Sequence, residues 1–442
     1  MSLRSFLNQA EDVNKISSQV EPEFEPGSLA SQDQSKPIVF NNIKDYPDLK
    51  LVSNLASSRE LIANSLGVKR NEILFKLSEA FKSLQECEES DESIDNYQHF
   101  SEPDIEKHFP VLKYYSKEDE DEVKAPKYLA SCMVVAKDPE NDVQNLSFHR
   151  MMYHSKNKFT IRIVPRHLYE IKDKVEGDLE VVIIRGVDPR IELAGATSGS
   201  PDMNEFEYAN SLMNGGLELM DIDGFKIPAE TEMIMKGKIT SKEDKEGPFV
   251  DLSETWDKER QQPIFEVNDL YMKEQPYMRF LVPGKNEHKH LMGLPQEPRI
   301  YNKVRETVPT VKNVVISKGG CSWLHGVVQI KKRNEGDAKN AGMAALAGHP
   351  SMKKVTVVDE DIDPSKPEEV EWATATRMQP DKDIVFIERA KGSSLDPSQD
   401  YKNRLMTKWI VDATIPFEGK EPEEFERAKL PKEDEINLED YR

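Results

Sequence analysis

The sequence has few cysteines and no long hydrophobic segment. Its three cysteines, Cys87, Cys132 and Cys321, lie far apart and form no CxxC pair. This number and spacing argue against a thiolate zinc site and favour a reducing compartment. No run of about 18 apolar residues occurs, and the N-terminus lacks the apolar core of a secretory signal. These absences predict a cytoplasmic protein without a membrane-spanning helix.

The sequence is also poor in positive charge relative to negative charge. Lys and Arg total 60 against 81 Asp and Glu, which gives a formal net charge of −21 over 442 residues. A surface of this sign repels phosphate backbones and anionic lipids, so nucleic acid and membrane partners are not expected. The length fits two or three domains, and 37% hydrophobic residues exclude wholesale disorder.

Helical signals come first along the chain. Residues 1–20 predict a short amphipathic helix. The pair Ser57-Ser58 can cap a second helix that ends at Gly67, and Asn71 can cap a third. These signals predict an N-terminal α+β segment over residues 1–118.

The middle of the chain, residues 119–305, is rich in strand-like segments. The acidic stretch 116–125 predicts a solvated linker, which marks the boundary before this part. Strands are predicted at 159–164, 179–187, 232–239 and 264–271. A helix is predicted only at 205–213. Such a pattern is typical of a β-rich domain such as a barrel.

Strands and helices alternate in the last part, residues 306–442. Strands are predicted at 311–317, 323–330, 355–358 and 384–388, and helices at 337–348 and 367–375. Alternation of this kind predicts an α/β layer. The acidic tail after Pro416 is weakly apolar and could pack on a neighbour. The whole chain is therefore expected to have a mixed α/β and β fold.

An amide, an imidazole and a carboxylate in three segments are candidate metal ligands. They are Asn145 in Asn-Leu-Ser-Phe-His-Arg, His167 in Val-Pro-Arg-His and Glu205 in Asn-Glu-Phe-Glu-Tyr. One carboxylate with mixed oxygen and nitrogen donors suits Mg²⁺ or Mn²⁺ better than zinc. Taken singly, His167 also fits a structural histidine, and Glu205 also fits a solvated helix face.

An arginine and two carboxylates are candidate proton-transfer residues. Glu246 opens the turn-like Glu-Gly-Pro-Phe, Asp251 follows five residues later, and Arg150 lies upstream. If Arg150 lies between the carboxylates, one stays ionised, and the other can hold a proton when desolvated. The alternative is a plain turn with an exposed carboxylate.

In this order, the segments resemble the UbiD family of decarboxylases. Asn145, Ser147 and Arg150 match its Asn-x-Ser-x-x-Arg, and Glu-Gly-Pro-Phe-Val-Asp at 246–251 matches its Glu-Gly-Pro-Phe-Gly-Asp/Glu. Further matches at 1–7, 357–363 and 372–377 extend the resemblance over most of the chain. It implies a central split β-barrel domain that binds flavin, followed by a C-terminal α/β domain with an oligomerising tail.

The resemblance also implies the cofactors. Prenylated FMN would serve as an electron sink, with its phosphate held by Mn²⁺ (or Mg²⁺) and by K⁺. Asn145, His167 and Glu205 would be the ligands of the divalent metal. The expected cofactor-binding residues are Asn145, Ser147, His149, Arg150, His167, Glu205 and Lys408. A flavin prenyltransferase of the UbiX kind would supply the cofactor, and a homo-oligomer, either a dimer or a hexamer, is expected.

The implied catalytic residues are Arg150, Glu246 and Asp251. Glu246 is expected to be the general acid, and Arg150 is expected to orient the substrate carboxylate by a bidentate contact. The substrate would be an unsaturated carboxylic acid.

The segment that follows Glu-Gly-Pro-Phe departs from the familiar family pattern. Residues 250–257 lack a Gly-Tyr pair that would add an aromatic wall, and His149 adds a polar or cationic group. The basic stretch 285–290 could hold an anion or be a charged surface loop. These features resemble archaeal family members that convert trans-anhydromevalonate 5-phosphate to isopentenyl phosphate in isoprenoid biosynthesis. An aromatic or heteroaromatic acid (de)carboxylase and an inactive flavin-binding scaffold are the alternatives.

Overall fold

The computed structural model describes residues 2–10, 12–118, 123–141, 143–417, 421–428, 430–432 and 436–442. The chain divides into two compact units. The first unit consists of Met1–Arg299, Lys318–Trp323 and Ser394–Ser398, and the second of Ile300–Ser317, Leu324–Ser393 and Gln399–Arg442. The three-domain division at 118/119 and 305/306 stays a prediction.

The first unit contains most of the strands. They are β1 (Asn14–Ile16), β2 (Ile38–Phe40), β3 (Lys50–Ser53), β4 (Glu88–Glu89), β5 (Gln98–Ser101), β6 (Leu112–Lys113), β7 (Lys117–Glu118), β8 (Val123–Lys124), β9 (Lys127–Lys137), β10 (Gln144–Ser155), β11 (Lys158–Ile161), β12 (Leu179–Arg185), β13 (Glu218–Ile222), β14 (Phe225–Pro228), β15 (Met233–Glu246), β16 (Phe249–Val250), β17 (Trp256–Asp257), β18 (Arg260–Met272) and β19 (Tyr277–Arg279). Its helices are α1 (Leu3–Gln9), α2 (Glu25–Gln32), α3 (Arg59–Leu66), α4 (Ile73–Ala80), α5 (His167–Lys174), α6 (Pro189–Gly195), α7 (Glu205–Met213) and α8 (Asn286–Gly293). Helix α9 (Gln296–Thr307) contains the boundary between the units.

The centre of the first unit is a closed six-stranded antiparallel barrel. Its strands follow the order β10-β11-β18-β15-β12-β9, and β9 pairs with β10 to close the circle. Apolar residues occupy both faces of β9, because Val134 and Val135 belong to different clusters. Val135 shares its cluster with Phe206 and Leu212 of α7, whereas Val134 packs with Met151 of β10. The predicted barrel is therefore confirmed.

Several local predictions are confirmed. Helix α7 covers the predicted range, and Ser58 caps α3, accepting a hydrogen bond from the Leu61 amide. Gly67 ends α3 in a left-handed conformation, as glycine allows without steric cost. The four predicted barrel strands correspond to β11, β12, β15 and β18.

Other local predictions are wrong. The N-terminal helix ends at Gln9, and β1 then pairs in parallel with β2, so residues 1–20 do not form one helix. Asn71 lies inside a 3₁₀ turn that precedes α4 and does not cap it. In the stretch 116–125, β7 pairs with β8, while residues 119–122 lie outside the described part.

The second unit is a five-stranded mixed sheet covered by helices, which confirms the α/β expectation. Its strands are β20 (Val311–Ile316), β21 (His325–Ile330), β22 (Lys354–Asp359), β23 (Ile384–Lys391) and β24 (Leu405–Ala413), in the order β20-β21-β22-β24-β23. Its further helices are α10 (Asp337–Gly348), α11 (Pro367–Arg377) and α12 (Pro380–Asp383). Residues of α10 and α11 belong to two different apolar clusters of this unit. Within the described residues, no helix has the length and apolar character needed to cross a bilayer.

Candidate active site

Strand β10 carries most of the predicted residues. Asn145, Ser147 and His149 alternate with apolar residues and share one face of the strand. The register with β9 shifts between His149 and Met151, at Arg150. A bulge of this kind re-aims a side chain, and here it brings Arg150 to carboxylates on other segments.

Glu205 and Asn145 are brought together as predicted. The Asn145 amide nitrogen donates to Glu205 Oε1 at 3.0 Å, and the Leu146 backbone N–H donates to Oε2 at 3.0 Å. Burial raises the pKa of Glu205 to about 8, although these donors oppose the shift. In the described part of the chain, no lysine or arginine forms an ion pair with this carboxylate. The solvated helix face is therefore excluded for Glu205.

His167 begins α5 and is half-buried. No hydrogen bond joins it to Asn145 or Glu205 among the residues that the structure describes. In the described part of the chain, three or more histidine, cysteine, aspartate or glutamate side chains do not gather there as a metal site. The predicted ligand set has only two such side chains and an amide. A buried carboxylate that lacks a cation fits a hard divalent ion, and the amide of Asn145 beside it directs its nitrogen to Glu205 and its oxygen to Ser147.

His149 is neutral and not cationic. Burial lowers its pKa to about 4. Its Nδ1 lies 2.8 Å from the Arg162 carbonyl, which can only accept, so Nδ1 carries the proton. Nε2 is then an acceptor, 3.1 Å from the hydroxyl of Ser147, which also lies 3.0 Å from Asn145 Oδ1.

Arg150 lies between Glu246 and Asp251, as the sequence predicted. Its Nε and Nη2 donate to the two oxygens of Glu246 at 2.8 and 2.9 Å, and its Nη1 donates to Asp251 Oδ2 at 3.0 Å. Burial lowers the pKa of Arg150, but Glu246 and Asp251 outweigh this and raise it above its usual range. Glu246 is fully buried, so the alternative of an exposed turn carboxylate is wrong.

Tyr128 of β9 completes the surroundings of Glu246. Its hydroxyl donates to Glu246 Oε1 at 2.8 Å, and burial raises its pKa above the usual range. Its ring meets Phe249 edge-on at 4.8 Å between centroids, and Arg150 lies 4.2 Å above the Phe249 ring. Aromatic side chains thus flank Glu246 and Arg150 despite the missing Gly-Tyr pair. Tyr128 was not among the predicted site residues, because no sequence pattern predicted its strand β9.

A short hairpin holds the second carboxylate. Strands β16 and β17 pair, with Phe249 opposite Asp257, and Asp251 begins the connecting turn. Gly247, which precedes the hairpin, has φ +113°, and a Cβ there would lie 3.0 Å from the Glu259 Cα. Only glycine fits this position without strain.

Asp257 is a third carboxylate at Arg150 that sequence reasoning missed. Arg150 Nη2 donates to Asp257 Oδ2 at 3.0 Å. Both oxygens of Asp257 also accept from Arg260, at 2.7 Å each. Burial would raise the pKa of Asp257, but Arg260 and Arg150 lower it to about 2.

The basic stretch 285–290 is mainly helix, so the alternative interpretation as a charged surface loop is wrong. Lys285 precedes α8, and Lys285 and Lys289 both pair with Glu254, at 2.9 and 2.5 Å. The other two basic residues, His288 and His290, have pKa values lowered by burial.

Lys408 belongs to β24 of the second unit. Its ammonium donates to the Pro350 carbonyl, and burial lowers its pKa. Its predicted role at the flavin stays a prediction.

Comparisons with known proteins cover almost the whole chain. Residues 4–81, 86–286 and 289–413 match the N-terminal, Rift-related and C-terminal domains of 3-octaprenyl-4-hydroxybenzoate carboxy-lyase. An anhydromevalonate phosphate decarboxylase of Methanocaldococcus jannaschii is 42% identical, over 97% of this chain and 100% of the relative. One of Methanothermobacter thermautotrophicus is 39% identical, over 96% and 99%.

Two solved structures have the same fold. The UbiD-class enzyme HmfF from Pelotomaculum thermopropionicum in complex with FMN matches with a TM-score of 0.94 and 33% identity, over 100% of both chains. An evolved dimeric form of that enzyme in complex with prFMN matches with a TM-score of 0.89 and 32% identity, again over 100% of both chains. Together with the domain matches and the relatives, they identify this chain as a member of the UbiD family.

Proposed function

We propose that the protein is a prenylated-FMN-dependent decarboxylase that converts trans-anhydromevalonate 5-phosphate to isopentenyl phosphate. The observation that carries the proposal is the buried Arg150, held between Glu246 and Asp251. The identity of about 40% to anhydromevalonate phosphate decarboxylases over their full length supports the choice of substrate.

Arg150 can bind and orient the substrate carboxylate with little rearrangement. A guanidinium has five N–H donors. Four of them contact Glu246, Asp251 and Asp257, which leaves one on Nη1. A bidentate contact from Arg150 to the substrate would therefore require release of one of these carboxylates. A single hydrogen bond from Nη1 is the arrangement that the observed contacts permit.

The proton must come from one of the two carboxyl groups. Prenylated FMN, when bound, supplies the electron sink that lets the bond between the alkene carbon and the carboxylate break. The electron pair of that bond stays with the carbon side, CO₂ leaves, and a carboxyl group of the protein delivers its proton to this carbon. Proton transfer of this kind contributes about 10²–10⁴ in rate.

Asp251 is better placed than Glu246 to carry that proton. Glu246 accepts three hydrogen bonds, two from Arg150 and one from Tyr128, which hold its fully buried carboxylate in place. Asp251 accepts one hydrogen bond from Arg150 and one from the Leu252 backbone N–H, and its 17% exposed side chain is more accessible to a substrate than that of Glu246. We therefore assign the acid role to Asp251 and the anchoring of Arg150 to Glu246, in place of the sequence-based expectation.

Asn145, His167 and Glu205 would hold Mn²⁺ or Mg²⁺ at the cofactor phosphate, where the metal would neutralise charge. The uncompensated, buried Glu205 supports this part of the proposal. Ser147 and the neutral His149 line the same face of β10. The proposal also includes K⁺ at the cofactor phosphate and Lys408 near the flavin. A UbiX-like prenyltransferase would supply the cofactor, and the protein would assemble as a dimer or a hexamer.

The substrate phosphate would bind near Lys285 and Lys289. Two ammonium groups share the single carboxylate of Glu254, which leaves one positive charge uncompensated in this group. Glu254 lies in the hairpin turn, and its backbone N–H donates to the Asp251 carbonyl at 2.8 Å. The lysine pair is therefore next to the hairpin turn that contains Asp251 and Glu254, where an anionic end of the substrate could bind.

Turnover of the cofactor-loaded protein tests the proposed function. The phosphorylated alkenoic acid is compared with cinnamate-type and hydroxybenzoate-type acids, because the aromatic side chains Tyr128, Phe249 and Trp256 line a small cavity that Val250 also lines. We expect CO₂ release and isopentenyl phosphate with the phosphorylated acid. Preference for aromatic acids would reject the substrate, and no turnover of any acid by loaded protein would favour an inactive scaffold.

A further inference from the structure

Side chains of alternating charge form a connected series of ion pairs around Arg150. Arg260 binds Asp257 through two hydrogen bonds of 2.7 Å, Asp257 binds Arg150 at 3.0 Å, and Arg150 binds Glu246. Glu246 of β15 lies opposite Arg260 of β18 in the antiparallel register. Two cations and three carboxylates, the third being Asp251, thus form one connected cluster with a formal charge of −1 when all are ionised.

We propose that Asp257, anchored by Arg260, is a positioning residue that keeps one proton on the Glu246–Asp251 pair. The proposal rests on the decarboxylase function proposed above. Asp257 occupies one N–H of Arg150 Nη2, so part of the guanidinium charge is already neutralised. Arg150 alone therefore cannot stabilise two further anions as well as it could without Asp257.

The burial of the cluster makes this charge balance effective. The exposed fraction of the side chain is 9% for Arg150, 0% for Glu246 and 11% for Asp257. Charges in such surroundings interact more strongly than they do in water. Asp257 itself stays ionised in the working range, because its pKa is lowered to about 2.

Asp257 also fixes where the guanidinium points. It lies on β17, directly opposite Phe249, whose ring supports Arg150 from below at 4.2 Å. The hairpin therefore supplies the ring and two of the three carboxylates that contact Arg150. Groups that face Arg150 from each packed element are Tyr128, Arg162, Glu246, Asp251, Asp257, Arg260 and His288. Arg260 is linked to Arg150 through Asp257, and neither Asp257 nor Arg260 transfers the proton itself.

Two substitutions that change the charge of the cluster in opposite directions test the proposal. Asp257→Asn removes a negative charge, so the pair should lose its proton more easily. The upper pH limit of kcat/KM should move down by about one pH unit, and kcat should fall about tenfold. Arg260→Gln removes a positive charge and should move the same limit up. Asp257→Glu keeps the charge and should restore the wild-type limit.

A purely structural role predicts a different outcome. Asp257→Asn and Arg260→Gln would then lower activity and melting temperature without opposite shifts of the pH limit, and that result would overturn the proposal. Glu266→Gln is the matched control, because Glu266 also lies on β18 but pairs with Lys158 at 3.0 Å. It should leave the pH limit unchanged.

A measurement without turnover separates this inference from the proposed function. Infrared difference spectra of the cofactor-free protein follow the protonated carboxyl band as the pH is raised. Asp257→Asn should lose this band at lower pH than wild type, and Asp257→Glu should not. An identical titration in wild type and Asp257→Asn rejects the inference even if the enzyme is active. A shifted titration supports it even if the substrate assignment fails.

Discussion

Arg150 and Glu246 form a two-pronged ion pair, with hydrogen bonds of 2.8 and 2.9 Å between the two planar groups. Bidentate pairs of this type are stronger and more directional than single hydrogen bonds between neutral groups. Because Glu246 is fully buried, loss of Arg150 would leave a buried carboxylate without its cation. The two residues are 96 positions apart in sequence, so the pair forms only when β10 and β15 are brought together in the folded chain.

Loss of either carboxyl group should reduce decarboxylation. We expect Asp251→Asn to lower kcat by about 10²–10⁴, since the proton donor is removed. Glu246→Gln should lower kcat through misplacement of Arg150, and the double variant should be little worse than Asp251→Asn. Both proteins should retain the flavin absorbance. Glu243→Gln, an exposed residue on the same strand, is the control and should keep its activity. Wild-type kcat in Asp251→Asn would contradict the acid assignment.

Tyr128 should contribute both to stability and to rate. Tyr128→Phe removes the hydroxyl that donates to buried Glu246 at 2.8 Å and leaves one carboxylate oxygen with one donor fewer. We expect a loss of about 1–2 kcal/mol in the free energy of unfolding and a several-fold lower kcat. Urea unfolding and steady-state assays measure the two effects. Tyr169→Phe, at an exposed position, should change neither quantity.

Local sequence signals predicted those parts of the fold that depend on local interactions. Ser58 and Gly67 mark the ends of α3 because capping involves neighbouring backbone groups. The range of α7 was predicted in the same way, and it places Glu205 in the first turn of the helix.

The rest of the site depends on long-range pairing that no local pattern reveals. Polar and apolar residues alternate along β10 only as far as His149, because the register with β9 shifts at Arg150, so the pattern does not reveal the whole strand. Asp257 contacts Arg150 only because β16 and β17 form a hairpin and β10 is bulged at Arg150. The order of the family motifs predicted Arg150, Glu246 and Asp251, but it did not predict Asp257.

The lysine pair should affect binding of the phosphorylated substrate. Lys289→Met removes a largely buried ammonium that pairs with Glu254, and Lys285→Met removes its more exposed neighbour. We expect KM for the phosphorylated acid to rise about tenfold or more, with a smaller change in kcat, because one charged contact is lost. An analogue without phosphate should show no such change. The control Lys242→Met, at an exposed position, should leave KM unaltered, and equal effects on both substrates would contradict a phosphate contact.

A buried ion-pair network should stabilise the first unit. Arg279 is fully buried between Glu192 and Glu287, at 2.8 Å from each. Glu287 also accepts the backbone N–H groups of Asn54 and Ala56. Arg279→Met should lower the free energy of unfolding by about 3–5 kcal/mol, since two carboxylates lose their cation.

The melting temperature of Arg279→Met measures this loss. Glu306→Gln is the comparison, because Glu306 forms an exposed pair with Lys303 and should have almost no effect. Equal melting temperatures for Arg279→Met and wild type would show that the network does not stabilise the fold.

His290 should make stability depend on pH. Burial lowers its pKa from 6.5 to about 4, and its Nδ1 lies 3.1 Å from the Ala56 carbonyl. Between these pH values the unfolded chain binds a proton that the folded chain does not bind. The free energy of unfolding should therefore fall as pH decreases from about 6.5 to about 4, by up to about 3 kcal/mol for this residue.

His290→Gln should remove this contribution, since glutamine can still donate to the Ala56 carbonyl but does not titrate. Chemical unfolding at about pH 7 and about pH 5 measures the difference. His149, whose pKa is also lowered to about 4, has an effect of the same sign, so the variant should lose only part of the pH dependence. An unchanged slope in His290→Gln would mean that His290 is protonated equally in the folded and unfolded chain.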